Sequence, residues 1–246
     1  MNADRGWIER SFWPGWVLLA VVLAVAELTN VDLWLQDHFF DFRTETWLVN
    51  ARAPVPRFFF YNGPKVAIIA LGVTLLVLAL GRESWRRGLD RRALLVAFAT
   101  IASVPALVGF GKQWTNVFCP SELRRYGGDV PYVKLWEAYP ADDRPERCGE
   151  CFPAGHASGG FALLGLVGLA RTRRGQRHLF LAAMAVGWAM GGYQMLKGAH
   201  YLSHTLVTML LAWLVFLGWR RLLRPPEDGR VNENSSGVHV GFTSGR

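Results

Sequence analysis

Residues 93–111 read ALLVAFATIASVPALVGFG and contain no charged side chain. Five other stretches are also free of charge, so that the six run for 14 to 19 residues each: 11–26, 66–81, 157–170, 179–196 and 205–219. With one polar residue allowed at an end, each approaches the roughly 20 residues that an α-helix needs to cross a bilayer. We therefore predict an all-α membrane protein, a bundle of six transmembrane spans.

The composition agrees with a membrane protein. Of the 246 residues, 51% are hydrophobic and 19% are charged, whereas an ordinary soluble domain has roughly 25% charged residues. This excess of apolar residues disfavours a disordered protein, a coiled coil or a small disulfide scaffold. We expect residues 1–224 to form the membrane domain. The remaining residues 225–246 are polar and rich in Gly and Ser, which favours a disordered tail.

The net charge of +8 is a topology signal. The arginines form four clusters that a six-span path places on one side: Arg5 and Arg10; Arg82, Arg86, Arg87, Arg91 and Arg92; Arg171, Arg173, Arg174 and Arg177; Arg220, Arg221 and Arg224. The positive-inside rule makes that side cytoplasmic, with both termini inside. We expect a multi-pass protein of the cell inner membrane. No basic face interleaved with aromatic residues indicates nucleic-acid binding.

Polar side chains gather at the opposite ends of the last four spans. Lys112 ends span three, His156 lies in the first turn of span four, Lys197 ends span five and His200 begins span six. The loop 112–155 between spans three and four is long, and such loops are usually functional. Two cations and two histidines around the N-terminus of a helix predict a site for an anion, because free N–H groups and the helix dipole favour negative charge there.

Three segments then resemble the motifs of the type-2 phosphatidic acid phosphatase family, which includes membrane lipid phosphatases and soluble vanadium haloperoxidases. They are KQWTNVFCP at 112–120, PAGH at 153–156 and YQMLKGAHYLSH at 193–204. The family patterns are Lys-x6-Arg-Pro, Pro-Ser-Gly-His and Ser-Arg-x5-His-x3-Asp. The order of the motifs, their spacing and the span ends on which they fall all match.

The resemblance implies a role for each matched residue. Lys112 and Gly155 would bind phosphate, together with Ala154 at the serine position. His156 would act as the general acid, and His200 would be the nucleophile that carries the phosphoryl group. Such chemistry requires no metal, because cations and backbone N–H groups stabilise the charge on the phosphate oxygens. We expect no cofactor.

Four positions depart from the family pattern. Cys119 and Gln194 stand where the family has arginine, Ala154 replaces serine, and His204 replaces aspartate. We expect compensating cations from Lys197, three residues before His200, and from Arg124 or Arg125 in the loop: all three are candidate phosphate ligands. We expect His204 to orient His200 by accepting the proton of its far ring nitrogen. The departures indicate either a divergent subfamily or reduced activity.

The cysteines and histidines allow other interpretations. His200 and His204 have the i,i+4 spacing of metal ligands, and a third ligand would complete a zinc site; the neighbouring lysines favour an anion instead.

The three cysteines cannot all pair with one another. Cys148 and Cys151 form a C-x-x-C pair without a thioredoxin-like context, and we favour a Cys119–Cys151 disulfide, which would tie the first motif to the second.

The sequence therefore predicts a membrane lipid phosphatase with its site on the outer, periplasmic face. The candidate substrates implied by the family are a phospholipid such as phosphatidylglycerol phosphate, a polyprenyl phosphate or pyrophosphate, and a phosphorylated lipid A. A phosphotransferase would use the same residues with a lipid acceptor. An inactive relative that binds a phosphorylated lipid is the rival favoured by the four substitutions. A transporter is a weaker rival, since its polar groups would lie at the midplane.

Overall fold

The computed structural model describes residues 6–51 and 54–224, so the tail 225–246 lies outside the described residues. Nearly all of the regular secondary structure in the described part is helical, which confirms the all-α prediction. The helices are α1 Gly6–Arg10, α2 Phe12–Leu28, α3 Val31–Asp37, α4 Pro54–Arg57 (continued by a π-helical turn, Phe58–Asn62), α5 Gly63–Leu80, α6 Glu83–Arg86, α7 Arg91–Lys112, α8 Gly155–Ala162 (continued by a 3-10 segment, Leu163–Leu169), α9 Arg173–Leu196 and α10 Leu202–Leu222. Two short strands, β1 Phe40–Asp41 and β2 Thr46–Trp47, pair antiparallel.

Local signals explain where two of the long helices begin. The carboxylate of Asp90 accepts a hydrogen bond from the N–H of Ala93 at the start of α7, and the hydroxyl of Thr172 accepts one from the N–H of Gly175 at the start of α9. Each side chain satisfies an N–H group that the first turn of a helix would leave without an intrahelical partner. Both helices therefore begin in charged sequence, two residues before the charge-free stretch for α7 and six residues before it for α9.

Among the described residues, four helical segments are long and apolar enough to cross a membrane: Pro54–Leu80, Arg91–Lys112, Arg173–Leu196 and Leu202–Leu222. Helices α2 and α3 make a fifth if the pair is counted as one span, although the chain bends by 71° between them. The apolar segment Gly155–Leu169 is shorter than the other candidates. The protein is thus a membrane helix bundle with four or five spans by these criteria, and the count of six stays a prediction.

The short segment Gly155–Leu169 occupies the centre of the bundle. Phe161, Ala162, Leu164 and Val167 are fully buried, because α7, α9 and α10 all pack against α8. Its first eight residues are α-helical and the next seven are 3-10. Since a 3-10 helix rises about 2.0 Å per residue and an α-helix about 1.5 Å, the segment extends roughly 26 Å. It therefore reaches most of the way through a hydrocarbon layer about 30 Å thick.

Small residues allow this central position. A Cβ atom added to Gly160 would lie 2.7 Å from the Cα atom of Gly187, and one added to Gly187 would lie 2.2 Å from the ring of Phe161. Helices α8 and α9 are therefore close enough for their backbones to touch. Such close approach through small residues is the usual packing of helices within membranes.

Gly187→Ala should destabilise the bundle, because the added methyl group overlaps the buried ring of Phe161. Overpacking of this kind costs about 1–3 kcal/mol. The matched control is Gly192→Ala on the same helix, where an added Cβ meets no atom within 4 Å. Thermal unfolding in detergent should show a lowered midpoint for the first variant alone. Equal midpoints for both variants would contradict the close α8–α9 contact.

Candidate active site

The loop between α7 and α8 folds back on itself beside the helix ends. The N–H of Cys151 donates to the carbonyl of Val117 at 2.9 Å, and the hydroxyl of Thr115 donates to the carbonyl of Phe152 at 2.6 Å. A disulfide joins Cys119 to Cys151 within this pairing, and Cys148 is free and exposed. The bond is the one that the sequence favours. It holds the end of the first motif against the start of the second.

The N-terminus of α8 is open. The N-cap residue Ala154 has no side chain that accepts a hydrogen bond, so no capping side chain competes with an anion for the N–H groups of the first turn. The side chain of Lys112 runs directly past Gly155, because a Cβ atom there would lie 3.0 Å from its Cε atom. The ammonium group of Lys112 donates to the carbonyl of Glu150 at 2.8 Å. A larger residue at position 155 would therefore require the lysine side chain to shift by a few tenths of an ångström.

Two histidine rings meet at this helix end. The ring centroids of His156 and His200 are 6.0 Å apart, so both rings can contact one phosphate group. His200 is buried, and its Nδ1 atom lies 3.4 Å from the sulfur of Cys151. Because Nδ1 faces the disulfide, Nε2 is the nitrogen left for chemistry.

His204 lies in the first turn of α10, four residues after His200, but it does not make the expected contact. Its ring centroid is 6.0 Å from that of His200, and no hydrogen bond joins the two rings in the part of the chain that the structure describes. Instead, Nδ1 of His204 lies 3.1 Å from the carbonyl oxygen of Cys151, and Phe152 packs edge-on against the ring. The aromatic contact and the carbonyl turn the ring away from its expected partner.

Three lysines surround His156. The charges of Lys197, Lys112 and Lys65 all act on its ring. The ammonium group of Lys197 also lies 5.0 Å from the centroid of Tyr193, a cation–π contact that fixes its side chain. Lys65, near the start of α5, lines a cleft together with Gly155 and His156. The sequence analysis did not select Lys65, although it begins span two at the same end of the bundle as the histidines.

The side chain of Gln194 is completely buried, and neither its amide nitrogen nor its amide oxygen has a hydrogen-bond partner among the described residues. An unsatisfied buried amide is costly, by about 1–3 kcal/mol. Gln194 occupies the position at which the third motif carries a phosphate-binding arginine. A bound phosphate oxygen would relieve this cost by accepting a hydrogen bond from the amide nitrogen.

Arg124 and Arg125 are engaged elsewhere. The guanidinium group of Arg124 donates to Asp143 at 2.6 Å, and that of Arg125 donates to Asp37 at 2.8 Å. The hydrogen bond from Arg124 holds the pKa of the Asp143 carboxyl below its usual value. Binding phosphate would require either arginine to leave its carboxylate, so these contacts do not favour the role that we expected for them.

The potential metal ligands also have a different arrangement from the predicted alternative. Among the described residues, the one group of three that lies close together is Cys119, Cys151 and His200, with ligand atoms within 4.8 Å of one another. Its two sulfur atoms are bonded to each other, and a metal binds the thiolate form of cysteine. The group therefore lacks the donors of a zinc site while the disulfide is intact.

Comparison with known proteins agrees with this geometry. The sequence profile of the PAP2 superfamily matches residues 92–225, more than half of the chain. The chain belongs to the PAP2 superfamily. A similar solved structure is a transmembrane PAP2-type phosphatidylglycerolphosphate phosphatase from Bacillus subtilis, with 14% identity, a TM-score of 0.50, and coverage of 85% of this chain and 94% of the other. This likeness shows a shared fold. No curated protein matches the chain significantly.

The three PAP2 motifs thus meet at one end of the bundle. Lys112 and the disulfide come from the first, Ala154, Gly155 and His156 from the second, and His200 from the third. The resemblance did not identify Asp32 and Gln36, which lie on α3 before the matched residues 92–225. Both bond to the segment that carries His200 and His204. Their i,i+4 spacing, which places both side chains on one face of α3, is the sequence signal that could have indicated a buried polar face.

Peptide mapping without reduction should recover Cys119 linked to Cys151, with Cys148 open to alkylation. Closing a loop of this length, with a sequence separation of 32, contributes about 3–4 kcal/mol to stability. Cys119→Ser should therefore lower the midpoint of thermal unfolding, whereas the control Cys148→Ser should not. Recovery of a Cys148–Cys151 link would show that the pairing is incorrect.

Proposed function

We propose that this protein is a lipid phosphatase, which hydrolyses a phosphate or pyrophosphate monoester of a membrane lipid through a phosphohistidine intermediate. The observation that carries the proposal is the meeting of His156, His200 and Lys112 at the open N-terminus of α8. Membership of the PAP2 superfamily supports the same class of reaction.

Each side chain has a position suited to one step. Nε2 of His200 attacks the phosphorus atom, the ester P–O bond breaks, and His156 gives its proton to the departing alkoxide. A water molecule then attacks the phosphorus of the phosphohistidine, His156 takes a proton from that water, and the P–N bond breaks to release phosphate. The lysines and the N–H groups of α8 stabilise the charge on the phosphate oxygens. General acid help of this kind contributes about 10²–10⁴ in rate.

An apolar cleft next to His156 supports a lipid substrate. The cleft has a volume of about 520 Å³ and lies between α5, α7 and α8. Its walls are mostly apolar, and the polar groups Lys65 and His156 lie among them. This arrangement would hold the chain of a lipid along the helices while its phosphate contacts the lysines. The lining residues are Lys65, Ile68, Ile69, Gly72, Val73, Phe98, Ile101, Ala102, Pro105, Gly155, His156, Ser158, Gly159 and Met190.

The arginine clusters support a cytoplasmic location for the opposite end of the bundle. The site would then face the periplasm, where phosphatidylglycerol phosphate, polyprenyl pyrophosphate or a phosphorylated lipid A presents its head group. The Bacillus subtilis relative is by name a phosphatidylglycerolphosphate phosphatase, which makes this lipid the first substrate to test.

Purified protein in detergent should release phosphate from a panel of these lipid phosphates. His200→Ala should abolish release, because the nucleophile is lost. His156→Ala should slow release by about 10²–10⁴ for alkyl phosphates. Formation of the phosphohistidine should slow much less for a nitrophenyl phosphate, because its leaving group is a weak base and needs little help from an acid.

The control is His38→Ala, which removes an exposed histidine that lies against Trp34 and should leave release unchanged. Release that persists in His200→Ala would contradict the mechanism. Tight binding of a lipid phosphate without any release would identify the protein as the inactive, lipid-binding relative instead.

A further inference from the structure

Helix α3 presents two buried polar side chains to the segment that carries His200 and His204. Asp32 is 5% exposed and Gln36 is fully buried. The amide nitrogen of Gln36 donates to the carbonyl oxygen of His200 at 2.8 Å. The carboxylate of Asp32 accepts two hydrogen bonds from Ser203, one from its N–H at 2.9 Å and one from its hydroxyl at 2.5 Å.

These bonds replace contacts that the local sequence does not supply. The N-cap residue of α10 is Tyr201, which makes no side-chain capping bond. Asp32 caps the helix from outside by accepting the N–H of Ser203, and its negative charge lies at the positive end of the helix dipole. Gln36 satisfies the carbonyl of His200, which precedes the helix. The same face of α3 therefore bonds to His200, which precedes the N-cap, and to Ser203, which follows it.

Asp32 also lies close to the position where the family motif carries aspartate. It lines a cavity of about 30 Å³ together with His204, Tyr132 and Ser203. In this chain position 204 is histidine, and its ring bonds to the carbonyl of Cys151 instead of to His200. A carboxylate that bonds to this part of α10 is thus supplied by α3, a helix outside the matched residues 92–225.

We propose that Asp32 and Gln36 are positioning residues for the nucleophile His200. They hold the backbone on both sides of Tyr201, and this fixes the direction in which the His200 ring leaves the chain. The proposal rests on the phosphatase function proposed above. It predicts that the reaction depends on α3 even though neither side chain touches the substrate.

The test compares Asp32→Ala and Gln36→Leu with the unsubstituted protein. Each substitution should lower kcat by about 10–100-fold, because a misplacement of about 1 Å at the nucleophile costs up to about 10² in rate. KM for the lipid phosphate should not change, since the lysines and the N-terminus of α8 are untouched. Asp32→Asn should recover part of kcat, because its amide oxygen still accepts the N–H of Ser203.

The control is Asp37→Asn on the same helix. The carboxylate of Asp37 bonds to Arg125 and Tyr126, and within the described residues it makes no hydrogen bond to the segment that carries His200.

A second measurement separates positioning from folding and from turnover. Orthovanadate mimics the phosphoryl group in transfer and must bond to a correctly placed nucleophile, whereas inorganic phosphate needs only the cations. Asp32→Ala and Gln36→Leu should each bind orthovanadate at least about tenfold more weakly than the unsubstituted protein. Their affinity for inorganic phosphate should be unchanged. Variants with lower melting points but unchanged kcat and unchanged vanadate binding would show a purely structural role and overturn the proposal. An unsubstituted protein with neither turnover nor vanadate binding would contradict the phosphatase function, and the positioning role with it.

Discussion

The contact between Gly160 and Gly187 is the packing interaction on which the site depends. Because neither residue has a side chain, α8 lies directly against α9 and in the centre of the bundle. The first turn of α8 then lies beside the ends of α7, α9 and α10. The motif residues converge there, and a helix N-terminus at that place supplies free N–H groups to an anion. A bulkier side chain at either glycine would move His156 away from His200.

The second constraint is charge. Two arginines of the family pattern are replaced by Cys119 and Gln194, and both replacements are neutral. The cysteine takes part in a disulfide that lies against His200, and the glutamine is buried without a partner. The positive charge comes instead from Lys112, Lys197 and Lys65, which all act on His156. An ammonium group is a compact point charge, unlike the planar fork of a guanidinium group. In the proposed mechanism, lysines at the ends of three different helices would hold the phosphate.

Much of the helical architecture follows from the distribution of charged residues. The charge-free stretch 93–111 lies within α7, and 205–219 lies within α10, because a helix in hydrocarbon must be apolar over its length. The segment that begins at Gly155 is less regular than its apolar sequence predicts, since its second half is 3-10 helix. It also packs inside the bundle. Hydropathy alone does not distinguish a helix that faces lipid from one enclosed by other helices.

The sequence predicted which side chains meet at the site where motif residues lie at the ends of apolar stretches. Lys112, His156 and His200 are such residues. The contacts of Asp32 and Gln36 were not predictable, because they join residues more than 160 positions apart. Ring orientation was not predictable either. The i,i+4 spacing predicts that His204 lies one helical turn from His200, but His200 precedes α10. Phe152 and the carbonyl of Cys151 decide where the His204 ring points. Arg124 and Arg125 were expected near phosphate, but they bond to the carboxylates of Asp143 and Asp37.

The central claim is that His200 carries the phosphoryl group. The most direct measurement is to incubate the protein with a lipid phosphate labelled at the phosphorus atom, stop the reaction in alkali during turnover, and locate the label by peptide mapping. The account predicts a phosphohistidine at His200, stable in alkali and labile in acid, and none in His200→Ala. Label on His156, or turnover without any labelled histidine, would contradict it.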